Sequence, residues 1–188
     1  MLPQNMPIIA YLGTTINEYI VKVLLFLSAL EFYCPVCGEK MSRHGKYPRQ
    51  IKDKKATIWI YRFKCKNKKC KKTVAILPDF LTPYKQYSAD EIELVLLDSA
   101  VNKPEQINAE ASLATVRRWI NEYEDKMKTW VSNLKSILMT RTGKVISENR
   151  LDCRYIEQLS IILEEMPAIK SRGNILGTTM IYISAPIT

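Results

Sequence analysis

Four of the chain's five cysteines fall into two pairs, Cys34-Pro-Val-Cys37-Gly38 and Cys65-Lys-Asn-Lys-Lys-Cys70. Thiolates at C-x2-C spacing face one another across a tight turn, and the glycine after the second sulfur supplies the backbone angle that the turn needs. The C-x4-C pair is looser but within the same ligand spacing. Two such knuckles joined by a β-hairpin bring four sulfurs into a tetrahedron, the closed shell of a structural zinc. Cys34, Cys37, Cys65 and Cys70 are therefore the expected ligands of one structural Zn2+. The spacings do not fit an iron–sulfur ferredoxin. A shell filled by protein leaves no position for a substrate, so no zinc catalysis is expected. His44, the only histidine, is surplus to the shell, and Cys153, alone on a predicted helix start, reads as a packing residue. The chain reads as cytoplasmic, where thiols stay reduced and paired cysteines hold metal rather than a disulfide.

The charge around these sulfurs is lopsided. From Lys40 to Lys72 there are 14 Lys or Arg against one acid, Asp53, whereas the remainder of the chain carries 14 bases and 18 acids. A formal net charge of +9 over 188 residues thus resolves into one strongly cationic segment and a mildly acidic remainder. Such asymmetry points to a polyanionic partner, nucleic acid ahead of an anionic membrane, with a merely solubilising face as the alternative. The most apolar run, Tyr19–Leu30, contains Lys22 and is well short of the roughly 20 residues of a membrane span, so it reads as a buried helix.

The elements that must position these groups follow from pattern. Thr15-Ile-Asn-Glu18 has the form of a capping box and predicts a helix from about Ile16 to about Leu30. The alternation in Thr57–Cys65 predicts a strand with Ile58, Ile60 and Arg62 on one face and Trp59, Tyr61 and Phe63 on the other. Trp59 and Tyr61 read as packing residues, with stacking on a base as the alternative. A short strand, Thr-Val-Ala-Ile-Leu, follows Cys70. Pro78 and Pro83 predict a linker over 79–87. Ser88-Ala-Asp-Glu91 opens a second helix, Pro104 a short one, and Ser112 a long one running to about Leu138. A final amphipathic helix covers Arg154–Met166, and the apolar tail beyond it is interrupted by Gly177 and Pro186.

The expected class is α+β: a small β zinc ribbon followed by a helical, helix-turn-helix-like region, with a buried N-terminal helix. The boundaries are 1–32 for that helix, packed on the ribbon or on a partner, 33–78 for the ribbon and 79–87 for the linker. The helix-turn-helix-like region takes 88–138, and 139–188 hold the C-terminal helix and tail. In a helix-turn-helix the third helix enters the major groove and its early exposed residues meet base edges. Here these are Thr115, Arg117, Arg118 and Asn121, arginine suiting guanine and asparagine adenine, with Thr115 or Ser112 alternatively on phosphate. The arginines could instead pair with Glu122 and Glu124.

The stretch CPVCGEKMSRHGKYPR, continued by RFKCKNKKCKKTVAILPDFLTPYKQYS, resembles a bacterial family of unknown function. That family is similar to the N-terminal zinc-binding and helix-turn-helix regions of insertion-sequence transposases. The resemblance covers Tyr33 to about Trp130. It implies that the cysteines ligate zinc and that the helices from Ser88 onward bind DNA. A transposase of this kind would next supply a ribonuclease-H-like domain with three carboxylates on separate strands. Asp152, Glu157, Glu164 and Glu165 all fall in or beside one short predicted helix, so no strand transfer is expected.

Together these readings predict a DNA-binding protein tied to a mobile element or its regulation, with no catalytic constellation. Duplex DNA ranks ahead of RNA as partner. Arg43, His44, Lys46, Arg49, Lys64, Lys66, Lys68, Lys69, Lys71 and Lys72 are the expected phosphate contacts of the ribbon. The alternatives are an RNA-binding ribbon or a protein-interaction module. The apolar first helix and tail either close a homodimer or complete the monomer's own core.

Overall fold

The hairpin expected between the knuckles forms, and the remaining elements are arranged on it. The computed structural model describes residues 7–13, 15–169 and 173–184. The chain runs β1 (Ile8–Ala10), α1 (Ile16–Ala29), β2 (Met41–Ile51), β3 (Ala56–Cys65), β4 (Thr73–Pro78), α2 (Ala89–Asp98), α3 (Leu113–Thr142), α4 (Tyr155–Glu165) and α5 (Ile175–Ser184). Single 3-10 turns lie at Pro104–Gln106 and Glu148–Leu151. The sheet order is β1-β4-β3-β2, with β1 parallel to β4 and the other pairs antiparallel. Among the described residues β2 is therefore an unpaired edge.

The α+β class is as expected, but the ribbon is not a separate unit ahead of a helical region. Strands and helices share one cluster of buried side chains. On β3, Ile58 and Ile60 are buried, as are Phe63 and Cys65. Side chains alternate across a strand, so these two pairs lie on opposite faces and both faces of the sheet are covered.

Register along the hairpin is set by a bulge. The pairing passes from Arg43↔Phe63 to Lys46↔Tyr61, which leaves His44 and Gly45 sharing one opposite residue, Arg62. Gly45 takes φ +89°, a conformation that favours glycine. Continued without the bulge, the register of the distal half would set Arg43 directly against Lys64. The bulge instead places Arg43 against Phe63 and aligns Met41 with Cys65. It removes a like-charge cross-strand pair, which is destabilising, and fixes the phase in which Cys65 reaches the sulfur cluster.

The far turn of the hairpin is held by its only acid. Asp53 accepts from the Ser88 backbone N–H at 2.8 Å and from the Ser88 hydroxyl at 2.6 Å. Ser88 is in turn the N-cap of α2, its hydroxyl accepting from the Glu91 N–H at 3.2 Å. The Asp53 side chain is 1% exposed. A carboxylate at a helix N-terminus meets both unsatisfied N–H groups and the positive end of the helix dipole. Sequence reading assigned Asp53 no role.

Several expectations are corrected. The stretch 79–87 is not a linker: Asp79, Phe80, Leu81 and Thr82 are fully buried, and Phe80 meets Tyr19 edge-on at 5.7 Å. The trihelical unit lacks its middle helix, because Pro104–Gln106 forms only one 3-10 turn. The long helix α3 runs to Thr142, where Gly143 at φ +70° terminates it. Gly177 does not break the tail but lies within α5, where a Cβ would stand 2.2 Å from the Asp79 carbonyl oxygen. Pro186 lies outside the described residues. The N-terminal helix α1 buries only Tyr19, Val23 and Leu27, leaving Ile20, Val21, Leu24 and Leu25 exposed. Among the described residues no helix is long and apolar enough to cross a membrane.

Two substitutions test this arrangement. Asp53→Asn keeps the shape but replaces one acceptor oxygen by a donor facing Ser88, and is expected to lower stability by about 1–3 kcal/mol in urea unfolding. Gly45→Ala forces a Cβ into the left-handed region and is expected to cost about 1–2 kcal/mol. Its structural signature is altered amide protection on both sides of the bulge, read by hydrogen exchange.

Candidate metal centre and its cationic surround

The two knuckles are short hairpin tips held by backbone hydrogen bonds. In the first, the Cys34 N–H donates to the Glu39 carbonyl and the Gly38 N–H to the Cys34 carbonyl, each at 2.8 Å. Gly38 takes φ +72° and a Cβ there would meet nothing within 4 Å, so backbone angle and not space calls for glycine. In the second, the Cys65 N–H donates to the Lys72 carbonyl at 2.8 Å. Asn67 accepts from the Lys69 N–H at 2.9 Å through its side chain, while its own N–H points to the Cys65 sulfur at 3.4 Å. Lys71, at φ +51°, occupies the place after the second cysteine that Gly38 fills in the first knuckle. The Lys66 N–H donates to the Lys40 carbonyl at 3.1 Å and ties the tips together.

The four sulfurs converge as the spacing predicts. Cys34 and Cys70 Sγ are 3.6 Å apart, Cys37 and Cys65 Sγ 3.4 Å, and all four atoms lie within 4.8 Å of one another. A tetrahedron whose centre is about 2.3 Å from each sulfur has edges of about 3.8 Å, so the cluster fits a four-coordinate metal ion. Cys153 and His44 take no part in it.

The thiols are unequal. Burial opposes ionisation of Cys34, but the Val36 and Cys37 N–H groups and the neighbouring thiols outweigh it and bring its pKa down to about 7. Burial pushes Cys65 up to about 12, against the Asn67 N–H and together with its bond to Cys37. At Cys70 the Lys72 N–H pulls downward, yet burial and the thiols of Cys34 and Cys37 leave its pKa raised. Metal entry must therefore displace protons from the cluster. With a dication in place, four thiolates leave a net charge of −2, next to a knuckle and flanks that carry six lysines between Lys64 and Lys72.

The other expected contact residues divide into groups. Arg43, His44 and Lys46 are exposed on the edge strand β2, and Lys66, Lys68, Lys69 and Lys71 are exposed on the second knuckle. Lys64 and Lys72 are half-buried. Arg49 stands apart: its guanidinium is largely buried and donates to the Thr82 carbonyl at 2.6 Å and to the Lys85 carbonyl. It joins β2 to the segment before α2. Lys85 continues this seam by pairing with Glu122 of α3, which also pairs with Lys126. Burial pushes the Glu122 carboxyl upward, but the two cations outweigh it and hold the group below its usual range.

At the start of α3, Ser112 and Thr115 hydroxyls meet at 3.0 Å. Arg117, Arg118 and Asn121 are exposed, while Val116, Trp119 and Tyr123 on the other side are buried. Arg117 pairs with Glu105 of the preceding 3-10 turn rather than with Glu122 or Glu124. Arg118 has no ion-pair partner among the described residues. Trp59, read from the sequence as a packing residue, is 48% exposed.

A metal assay separates the cysteines. The native chain is expected to release one equivalent of divalent metal to a chromogenic chelator once its thiols are titrated with mercurial. Cys65→Ser should lose the metal and unfold at markedly lower temperature, because binding to such a module contributes about 10–16 kcal/mol of apparent folding free energy. Cys153→Ser should keep both metal and melting temperature.

A family model described as a domain of unknown function, DUF6431, matches residues 34–119. The matched stretch holds the four sulfurs, the whole hairpin, Asp53 with its partner Ser88, and α3 as far as Trp119. No curated protein matches the chain and no solved structure matches it.

Proposed function

We propose that this chain is a nucleic-acid-binding protein in which a structural Zn2+ folds a cationic ribbon that grips duplex DNA by its phosphates. Zinc suits the cluster because four thiolates in a closed tetrahedron select a soft ion, and the fold asks nothing of it beyond geometry.

The observation that carries the reading is where the charge sits. Cations on a free edge strand have an ordinary use, since charge, a bulge and a proline on the edge discourage pairing with another chain. β2 has all three, with Arg43 and Lys46, the His44–Gly45 bulge and Pro48. That use does not extend to Lys66, Lys68, Lys69 and Lys71, which are exposed on a knuckle outside every strand. No ladder there needs protection, and among the described residues none of the four forms an ion pair, although Glu31 lies near enough to Lys66 to feel its charge. Mutually repelling ammonium groups held on a rigid tip are suited to a polyanion whose charges are regularly spaced.

The start of α3 supports duplex DNA over a single-stranded RNA. Arg118 and Asn121 project from the exposed side of a helix whose opposite side is buried, and these residue types match guanine and adenine edges in a major groove. Arg117 reaches a base only by leaving Glu105. The resemblance to transposase DNA-binding regions is in keeping with this assignment, and a link to a mobile element is part of the proposal.

Salt dependence tests the reading. A ligand that neutralises 6–10 phosphates loses about 10³–10⁵ in affinity between 50 and 200 mM salt. Binding of a labelled duplex by the zinc-loaded chain should fall that steeply. Replacing Lys66, Lys68, Lys69 and Lys71 together by Gln should lower the slope by about 0.9 for each phosphate that is no longer neutralised. Arg49→Ala should lower stability while leaving the slope unchanged. A flat salt response in the native chain overturns the proposal and turns attention to a protein partner.

A further inference from the structure

Trp59 is the one large aromatic side chain of the hairpin left half in water, at 48% exposed. Its neighbours Ile58 and Ile60 are buried on the opposite face of the strand, so the exposure is not due to fraying of β3. The backbone at Trp59 is firmly held. Pairing between β3 and β4 ends at Tyr61↔Ile76, and beyond that end the Trp59 carbonyl accepts from the Tyr19 hydroxyl at 2.6 Å. Tyr19 is itself buried against Phe80. Across the hairpin Trp59 faces Pro48, which is exposed on the edge strand.

The indole also has a cation in place. Lys46 Nζ stands 4.3 Å from the ring centroid. Lys46 and Pro48 are two residues apart on β2 and pair with Tyr61 and Trp59, so all four side chains belong to one face of the ribbon. That face is open at Lys46, Pro48 and Trp59. A half-exposed aromatic ring, held at its backbone and covered on one face only by the end of a flexible, exposed lysine, has the composition of a stacking platform for single-stranded nucleic acid.

We propose that Trp59 stacks an unpaired base while Lys46 swings off the indole face to hold an adjoining phosphate. The inference rests on the nucleic-acid reading above and specifies its ligand: DNA in which the gripped duplex adjoins at least one unpaired nucleotide, as at a frayed or overhanging end. An intact duplex keeps its base faces within the stack and offers none to the indole. The ribbon would then recognise a junction, with the knuckle lysines on the duplex backbone and Trp59 on the first free base.

The test compares a blunt duplex with the same duplex carrying a single-stranded overhang that contains 2-aminopurine, titrated with the full zinc-loaded chain. The overhang should bind roughly 5- to 150-fold more tightly, the range found for one base–aromatic stack, and 2-aminopurine fluorescence should change on binding. Trp59→Ala should abolish both the preference and the fluorescence change while leaving blunt-duplex affinity and its salt slope as in the native chain. Trp59→Phe, which keeps a ring, should retain most of the preference and guards against a loss caused by misfolding. Equal binding of both ligands by the native chain, or an undiminished preference in Trp59→Ala, overturns the proposal while the phosphate-gripping reading stands. Failure of the native chain to bind either ligand removes that underlying reading, and this proposal with it.

Discussion

The convergence of four sulfurs is the constraint on which the ribbon depends, because the segment that carries them repels itself. A hairpin with this excess of cations has little apolar surface of its own at the metal end: Met41, Phe63 and Val74 are buried there, with Phe32 packed on Phe63 at 4.8 Å. A dication bound by these thiolates would supply cohesion that such a small cluster cannot. Four thiolates around it would carry a net negative charge and partly offset the cationic knuckle from within. Loss of the ion would remove both effects together. Metal binding and the charge would then be two parts of one local balance.

At its other end the hairpin is held by a different kind of bond. The turn lies about 30 Å from the sulfurs, judged from the length of two paired strands of this size. There Asp53 accepts both donors of Ser88, and the Lys52 N–H donates to the Gln86 carbonyl at 2.7 Å. Arg49 adds its bonds to the carbonyls of the same segment. A ribbon fixed at both ends presents its edge as a stiff surface, and the bulge at His44–Gly45 lets the two ends be satisfied in one register. The seam continues through Lys85 to Glu122, which brings α3 into fixed relation with the hairpin. The cations of the ribbon and those on the exposed side of α3 are thereby held on one connected framework.

What was legible in the sequence was local. The cysteine spacings, the capping residues Thr15 and Ser88, the alternation in β3 and the helical spacing of α3 each lie within a few residues of the structure they predict. What was missed depends on distant partners. Asp53 and Ser88 are 35 residues apart, and nothing near Asp53 distinguishes it from a solvent-facing turn acid. Pro78 and Pro83 marked 79–87 as a linker, yet Phe80 and Leu81 between them join sheet to helices; prolines end regular structure without placing a segment at the surface. The three residues of β1 are too few for an alternation to show, and they are a strand only because β4 offers them an edge. Gly177 looked like a break because helix propensity was the only local criterion, whereas close approach of the Asp79 carbonyl requires glycine there.

The cluster of sulfurs and the exposure of Trp59 illustrate the same difference at the functional surface. Ligand spacing is a property of the chain and survives any choice of fold. Whether an aromatic residue on a hairpin packs or stacks is decided by what covers that face. Alternation placed Trp59, Tyr61 and Phe63 together, but their exposure falls along the strand: Phe63 is buried under Phe32, Tyr61 is half-buried, and Trp59 lies in the open. The covering is graded because Phe32 packs on Phe63 at the sulfur end, whereas the Tyr19 hydroxyl reaches only the Trp59 backbone and a lysine end stands over the indole. A single face of one strand therefore serves cohesion at the sulfurs and leaves an aromatic surface to solvent beside Lys46. The separation along the strand is what allows one small ribbon to be cohesive at one end and to expose an aromatic ring at the other.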